Sequence, residues 1–166
     1  MSPFDTMLAE YDRIHKNTTN RIFHAFGIPM VMLSVVGLAG FISLSLNGIN
    51  LPNGDPLGLS LAPLLVIYVS LWTFKLSRRA GLAMALFSGF LWIGAIELRR
   101  WLGDEMAAIS FASLFVGGWA VLFTGHVFEG ESPEFTQRPE NLLLGPVSVL
   151  NDFFPIVRIA KAGGDQ

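Results

Sequence analysis

Three histidines are the residues of this sequence best suited to chemistry, and all three lie just outside a long apolar block. His15 and His24 precede the block, and His126 stands at its far end. If the block crosses a membrane an even number of times, its two ends return to one face and bring these side chains together. Imidazole is a common metal ligand and a common proton carrier at neutral pH. The spacing therefore predicts a site built from sequence-distant histidines at a membrane surface.

The ligand chemistry of any metal is restricted, because the sequence contains no cysteine. This excludes disulfides, zinc–thiolate sites, iron–sulfur clusters and cysteine nucleophiles. Nitrogen and oxygen ligands suit non-haem iron(II), zinc and manganese, so the residues alone leave the metal open. His126 and Glu129 are spaced to share one face of a helix, an arrangement that helical metal sites use. For Glu129 alone, a solvated or ion-paired carboxylate at a helix end is an equal alternative.

The run Asn17-Thr18-Thr19-Asn20 separates the first two histidines. These residues are poor in a helix interior and good at a helix start, because their side chains accept hydrogen bonds from exposed backbone N–H groups. A helix that begins here lets His15 fold back beside His24 and puts Asn20 one turn from His24. Three unrelated polar residues at the interface remain the alternative interpretation of the histidines.

The composition favours a membrane protein. Hydrophobic residues make up 52% of the chain and charged residues only 14%, whereas about a quarter of a soluble domain is charged. Each of four apolar segments is close to the ~20 residues that cross a bilayer as a helix; they are Gly27–Leu46, Leu57–Leu76, Ala80–Glu97 and Met106–Gly125. A soluble bundle of buried helices is the alternative, but its helices would keep a polar face. The pairs Gly37/Gly40, Gly89/Gly94 and Gly117/Gly118 are predicted to let helices approach closely.

Charge sets the expected orientation. All but Arg99 and Arg100 of the 11 Lys and Arg residues fall on the side of the two termini. Because basic residues stay in the cytoplasm, both termini are predicted to be cytoplasmic. The composition, without an obvious retrieval signal, favours a bacterial inner membrane over the endoplasmic reticulum. A net charge of −2 and the lack of a basic run give no indication of nucleic-acid binding.

The predicted fold class is all-α, a polytopic membrane helix bundle with about four transmembrane helices. A single membrane domain, 1–166, comprises an N-terminal cytoplasmic arm with an interfacial helix (1–26), the helices (27–125) and a C-terminal part (126–166). In the last part, Pro146, Asp152 and Pro155 disfavour a fifth crossing. An interfacial or re-entrant segment over the mouth of the bundle is predicted instead.

Two motifs carry a resemblance to a known family. The first is His15-x4-Asn20-x3-His24-x2-Gly27-Ile28-Pro29, and the second is Gly125-His126-x2-Glu129-Gly130-x2-Pro133. Together they resemble the 2-hydroxy-fatty-acid dioxygenases related to the fungal endoplasmic-reticulum protein of phytosphingosine breakdown. The likeness spans nearly the whole chain. It departs from the family at Glu134, where relatives have alanine, and at Asn151-Asp152, where a glutamate is expected.

The resemblance implies an Fe(II)-dependent oxygenase of fatty-acid α-oxidation. A 2-hydroxy fatty acid would react with dioxygen and lose its carboxyl carbon, giving a chain one carbon shorter. The family's histidines correspond to His15, His24 and His126 as iron ligands. Its motif residues Asn20 and Glu129 belong to the catalytic group, and Glu129 is also a candidate ligand.

Further roles follow from the substrate that the resemblance implies. Arg21 or Lys16 is predicted to pair with the substrate carboxylate, and Tyr11 to hydrogen-bond to bound oxygen. For each of the three, contact with lipid phosphate or anchoring at the interface is an equal alternative. Membrane lipid is a predicted partner, and homo-oligomer formation stays open.

Two other function classes compete with the oxygenase. One is a non-catalytic membrane scaffold or a small lipid-binding or transport protein, although no charge lies in the middle of a segment to form an ion path. The other is a different metal-dependent lipid-modifying enzyme, such as a hydrolase or a desaturase-like enzyme. Desaturases would be expected to carry more than three histidines, in clusters.

Overall fold

The fold is taken from a computed structural model that describes residues 4, 6–8, 11, 17–50, 56–130 and 141–154. His15 and Lys16, and therefore the roles predicted for them, lie outside these residues. The named elements are α1 (Thr18–Ala39), β1 (Ser43–Asn50), β2 (Pro56–Ser60), α2 (Leu61–Leu76), α3 (Arg78–Leu102), α4 (Asp104–Glu129) and α5 (Asn141–Phe153). The chain is an all-α membrane helix bundle, as predicted, with one short hairpin among its described residues.

Helix α1 begins where its polar residues predict. Asn17 has an extended backbone conformation, and its side-chain oxygen accepts a hydrogen bond from the Thr19 N–H at 2.8 Å. This is the usual N-cap arrangement, in which a side chain replaces a missing helical acceptor. The break predicted before His24 is therefore confirmed.

Three helices, α1, α3 and α4, are long and apolar enough to cross a membrane by length and composition. The predicted crossing Leu57–Leu76 is shorter, because its helix α2 has only 16 residues, a rise of ~24 Å. Residues 43–60 explain the difference, since Ser43 pairs with Ser60 and Leu44 with Leu59 in an antiparallel hairpin. The first predicted segment thus ends as helix before Leu46, and the second starts as helix after Leu57. The alternation Ser43-Leu44-Ser45-Leu46 is a period-two strand signal that could have indicated this.

Close packing of α1 against α4 depends on glycine. A β-carbon on Gly118 would lie 2.8 Å from Val31 Cγ2, and one on Gly27 would lie 2.8 Å from Leu122 Cδ2. Gly37 likewise lies against the ring of Phe111. The predicted role of glycine in helix approach is therefore confirmed for Gly118 and Gly37.

The same prediction is wrong for Gly89 and Gly94 of α3, where a β-carbon would meet nothing within 4 Å. Gly94 is exposed. The sequence shows that a residue is small, but which face of its helix meets a neighbour is decided by the packing.

Adjacent glycines of α4 provide a matched stability test. We expect Gly118→Ala to lower the free energy of unfolding in detergent by ~1–3 kcal/mol, because the methyl group overlaps Val31 and Met30. Gly117→Ala should be neutral or stabilising by up to ~1 kcal/mol, because its nearest neighbour would be Met30 Cε at 3.6 Å and alanine favours helix. Equal effects in a denaturant titration would contradict this packing.

At one end of the bundle, Arg99 joins three elements. Its guanidinium donates to the Gly40 carbonyl at 3.1 Å, pairs with Asp104 at 2.7 Å and lies 4.2 Å from the centre of the Phe41 ring. A cation at the last carbonyls of α1 also suits the helix dipole. The end of α1 and the turn between α3 and α4 therefore lie together, which places the start of α1 and the end of α4 at the other end.

Helix α5 covers that second end and is buried from Leu144 to Leu150. Leu144 and Val147 pack with Phe4, Leu8 and residues of α3. With 13 residues, α5 is not among the candidate spans. The sequence prediction of a packed segment rather than a fifth crossing agrees with this arrangement.

Candidate functional site

His24 of α1 and His126 of α4 are in direct contact at the end covered by α5. Their ring centroids are 4.9 Å apart, and the planes meet edge to face at 85°. Both side chains are buried, each only 8% exposed. The structure thus brings together two of the three histidines that the sequence placed on one face.

The helix positions that flank this pair explain why the rings can meet. A β-carbon on Gly125 would overlap Asn20 Oδ1 and lie 2.9 Å from Phe23 Cβ. The rings of Phe23 and Phe128 stack with centroids 5.7 Å apart beside the pair. On the other side of the histidines, Gly27 of α1 packs against Leu122 of α4. The separation of α1 and α4 at the site is therefore set by Gly125 and Gly27.

One nitrogen of His24 is already oriented by its own helix. Its Nδ1 lies 3.0 Å from the carbonyl oxygen of Asn20, one turn earlier. A carbonyl can only accept, so Nδ1 carries the hydrogen and Nε2 carries the lone pair of the neutral ring. Metal-binding histidines commonly have one nitrogen held in this way.

Glu129 lies at the beginning of α1. Its Oε1 accepts from the Asn17 backbone N–H at 3.3 Å, and its Oε2 accepts from Asn20 Nδ2. Asn17 also donates through its side chain to the Phe128 carbonyl at 3.0 Å. A carboxylate at the positive end of a helix dipole is electrostatically favourable. Glu129 thus joins the last turn of α4 to the first turn of α1.

Asn20 connects this network to the histidines. It is completely buried, its side chain holds Glu129, and its carbonyl orients His24. The sequence prediction grouped Asn20 and Glu129 with the histidines, and the structure does bring the four together. Asn17 was predicted only as a helix start, since no local signal pairs it with a residue so distant along the chain.

Tyr11 and Arg21 also reach the site. With His24, Ser148 and Asp152, they line a cavity of about 10 Å³, roughly the space of one water molecule. Arg21 forms a two-point ion pair with Asp152, with Nε 3.2 Å from Oδ2. Gly145 of α5 leaves room for the Tyr11 hydroxyl, which would lie 3.2 Å from a β-carbon there.

Ser148 and Asp152 of α5 were not predicted as site residues. Asp152 stood out only as a departure from the family pattern, where a glutamate is expected. Its contact with Arg21 shows that an acidic side chain at this end of α5 reaches the site after all.

The residues present fit part of a non-haem metal site. Two buried imidazoles meet, one with its second nitrogen oriented, and there is no thiol to compete. Within the described ranges, however, no group of three or more potential ligand side chains is close enough to hold a metal ion. Glu129 is instead occupied with Asn17 and Asn20. The predicted third ligand, His15, lies outside those ranges.

Together these features define an all-α membrane protein with a buried histidine pair at one end of its bundle. The sequence profile of a family described as 2-hydroxy-palmitic acid dioxygenase Mpo1-like matches residues 1–154. The chain therefore belongs to the Mpo1-like family, and the resemblance carried by the two motifs is confirmed. No curated protein and no solved structure matches the chain.

Proposed function

We propose that this protein is an iron(II)-dependent dioxygenase that shortens a 2-hydroxy fatty acid by one carbon. The single observation that carries the proposal is the buried contact between His24 and His126, in a chain of this family. The reaction balances with dioxygen as the only oxidant: the 2-hydroxy acid and O₂ give the shorter acid, carbon dioxide and water. The C1–C2 bond breaks, C2 becomes the new carboxyl carbon, and O₂ takes up the four electrons that the substrate loses.

The proposed iron ligands are His24, His126 and, from the family motif, His15. Iron bound there would supply electron transfer to dioxygen and a point of attachment for the substrate head group. Asn20 keeps His24 and Glu129 in place, and Glu129 holds the two helix ends together. In this proposal Glu129 positions the two helix ends that carry the histidines and is not itself an iron ligand.

Substrate binding is assigned to the polar side chains around the pair. Arg21, whose side chain is 47% exposed and already pairs with a carboxylate, is the proposed partner of the substrate carboxylate. Tyr11 shares its small cavity with His24 and is proposed to hydrogen-bond to the reacting oxygen atoms. Lys16 is kept as a second carboxylate partner. The proposal puts the site at the cytoplasmic face of the membrane, following the distribution of basic residues, and keeps the bacterial inner membrane as the expected location.

The test begins with the protein purified in detergent and loaded with Fe(II) without oxygen. We expect stoichiometric iron, and oxygen uptake with 2-hydroxypalmitate but not with palmitate, which lacks the hydroxyl group. Pentadecanoate should accumulate in step with oxygen consumption. Iron without oxygen uptake on any 2-hydroxy acid would indicate a different lipid reaction, and absence of metal binding would indicate a scaffold.

The role of Arg21 can be tested through its partner. If Arg21 binds the substrate carboxylate, that carboxylate must compete with Asp152, so Asp152→Asn should lower the KM for 2-hydroxypalmitate. An ion pair this exposed contributes ~0–1 kcal/mol, so the expected change in KM is up to about fivefold. Replacing the other partner of the ion pair, Arg21→Gln, should raise the KM for 2-hydroxypalmitate with little effect on kcat. An unchanged KM in both variants would show that the ion pair only stabilises the packing of α5 against α1.

A further inference from the structure

A second, larger cavity lies next to the histidine pair. It has a volume of about 280 Å³, is partly open at the surface and is lined by α1, α2, α4 and α5, with Ser88 contributed by α3. This is close to the lower end of the range for small-molecule sites, about 300–1,000 Å³.

The cavity begins one helical turn from the histidines. Ile28 follows His24 by one turn of α1, and Leu122 precedes His126 by one turn of α4; both line the cavity. These two side chains also form a buried cluster with Val149 of α5. At the far end the lining includes Val36 and Val66. From Ile28 to Val36, α1 rises by ~12 Å.

The lining is almost entirely apolar. Ser88 is its one hydroxyl-bearing side chain, and that hydroxyl already donates to the Met84 carbonyl at 2.6 Å. Wherever such a cavity binds a ligand, the ligand part inside must be apolar, because a buried polar group without a partner costs free energy. A lining that extends from Ile28 to Val36 along α1 suits a chain rather than a compact ring system.

We propose that this cavity binds the hydrocarbon tail of a single-chain lipid acid, with the carboxyl end toward His24 and the methyl end toward Val66. The assignment of the head group rests on the proposed function; the assignment of the tail rests on the cavity itself. A tail bound in this cavity would place its head group one helical turn from Ile28 and Leu122, beside Arg21 and the histidine pair. The alternative occupant, the tail of a bilayer phospholipid, is distinguished by the test.

The first experiment measures binding without turnover. Trp119 lines the cavity, so a variant with Trp72, Trp92 and Trp101 changed to phenylalanine reports on it by fluorescence. We expect saturable quenching by a palmitic acid brominated in mid-chain, reversed by excess 2-hydroxypalmitate but not by excess dioleoylphosphatidylcholine. Reversal by the phospholipid, or no saturable quenching at all, would overturn the proposal.

A neighbouring pair on α2 supplies the matched variants. Val66 lines the far end of the cavity, whereas Ile67 is 54% exposed on the outer face. In the same quenching assay, Val66→Phe should raise the dissociation constants of brominated palmitic acid and of 2-hydroxypalmitate about tenfold each, equivalent to about 1.4 kcal/mol or nearly two buried methylene groups. The dissociation constant of the shorter 2-hydroxydecanoate, obtained by competition, should stay within about twofold, and Ile67→Phe should change none of the three.

The two proposals fail separately. If no 2-hydroxy acid supports oxygen uptake but quenching and its Val66 dependence are as expected, the tail site stands and the reaction is wrong. If oxygen uptake is as expected but Val66→Phe and Ile67→Phe behave alike, the dioxygenase stands and the tail lies elsewhere.

Discussion

Replacing His126 with alanine is expected to lower iron affinity by more than about 100-fold and to abolish oxygen uptake with 2-hydroxypalmitate. Even residues that only orient a metal ligand commonly contribute 10–100-fold, so loss of a proposed ligand should exceed that range. His126 is buried against His24, so its loss removes one of the two imidazoles that meet at the site. The measurement is an iron titration of the purified variant, followed by oxygen consumption.

The control for this variant is Val127→Ala. Val127 is adjacent in α4 and 79% exposed, so its truncation changes the helix surface but not the histidine pair. His24→Ala should reproduce the loss of iron, because both rings belong to the proposed ligand set. Full iron binding by a folded His126→Ala protein would remove His126 from that set and with it the proposed reaction.

The substitution Gly125→Ala is expected to separate α1 from α4 at the site itself. The added methyl group would overlap the side-chain oxygen of Asn20 and approach Phe23 Cβ to 2.9 Å. Asn20 cannot move aside, since it is completely buried and bonded to Glu129. Overpacking of this kind costs ~1–3 kcal/mol. We therefore expect a lower melting temperature together with weakened iron binding.

Two control variants on the same helix separate a local effect at the site from a general loss of stability. Gly117→Ala on the same helix should keep or slightly raise the melting temperature and leave the iron affinity unchanged, because a β-carbon there makes only ordinary contact. Gly118→Ala should lower stability with a smaller effect on iron, since it lies about two turns from His126. If Gly125→Ala binds iron as tightly as the parent protein, the separation of α1 and α4 does not control the site.

The site consists of the two helix ends and the bonds between them. Asn17 and Asn20 at the start of α1 hold the carboxylate at the end of α4, and the histidines face each other one turn further in. Four of these residues, Asn20, His24, His126 and Glu129, come from the two motifs. Their distances along the chain are large, yet each interaction is short in space because α1 and α4 pack directly on one another.

Much of the fold could be predicted from local chemistry. The start of α1 follows from the hydrogen-bonding capacity of Asn17, and α4 continues through Glu129 up to Gly130, whose positive φ of 77° suits a residue without a β-carbon. The hairpin at residues 43–60 was missed because a continuous apolar run looks like a span when only its hydropathy is read. The alternation at residues 43–46 indicated a strand, but it was a weaker signal than the length of the apolar segment Gly27–Leu46, which indicated a crossing.

The sequence by itself determined the kinds of atoms available for chemistry, the apolar segments and the family. These follow from residue type and short-range spacing, which do not depend on how the helices pack. Only the tertiary structure decided that His24 meets His126, that Glu129 is held by Asn17 and Asn20, and that Arg21 pairs with Asp152. Each of those contacts joins separate helices, so it depends on which faces pack together, and that choice is made by glycine positions and side-chain volumes acting across the whole bundle.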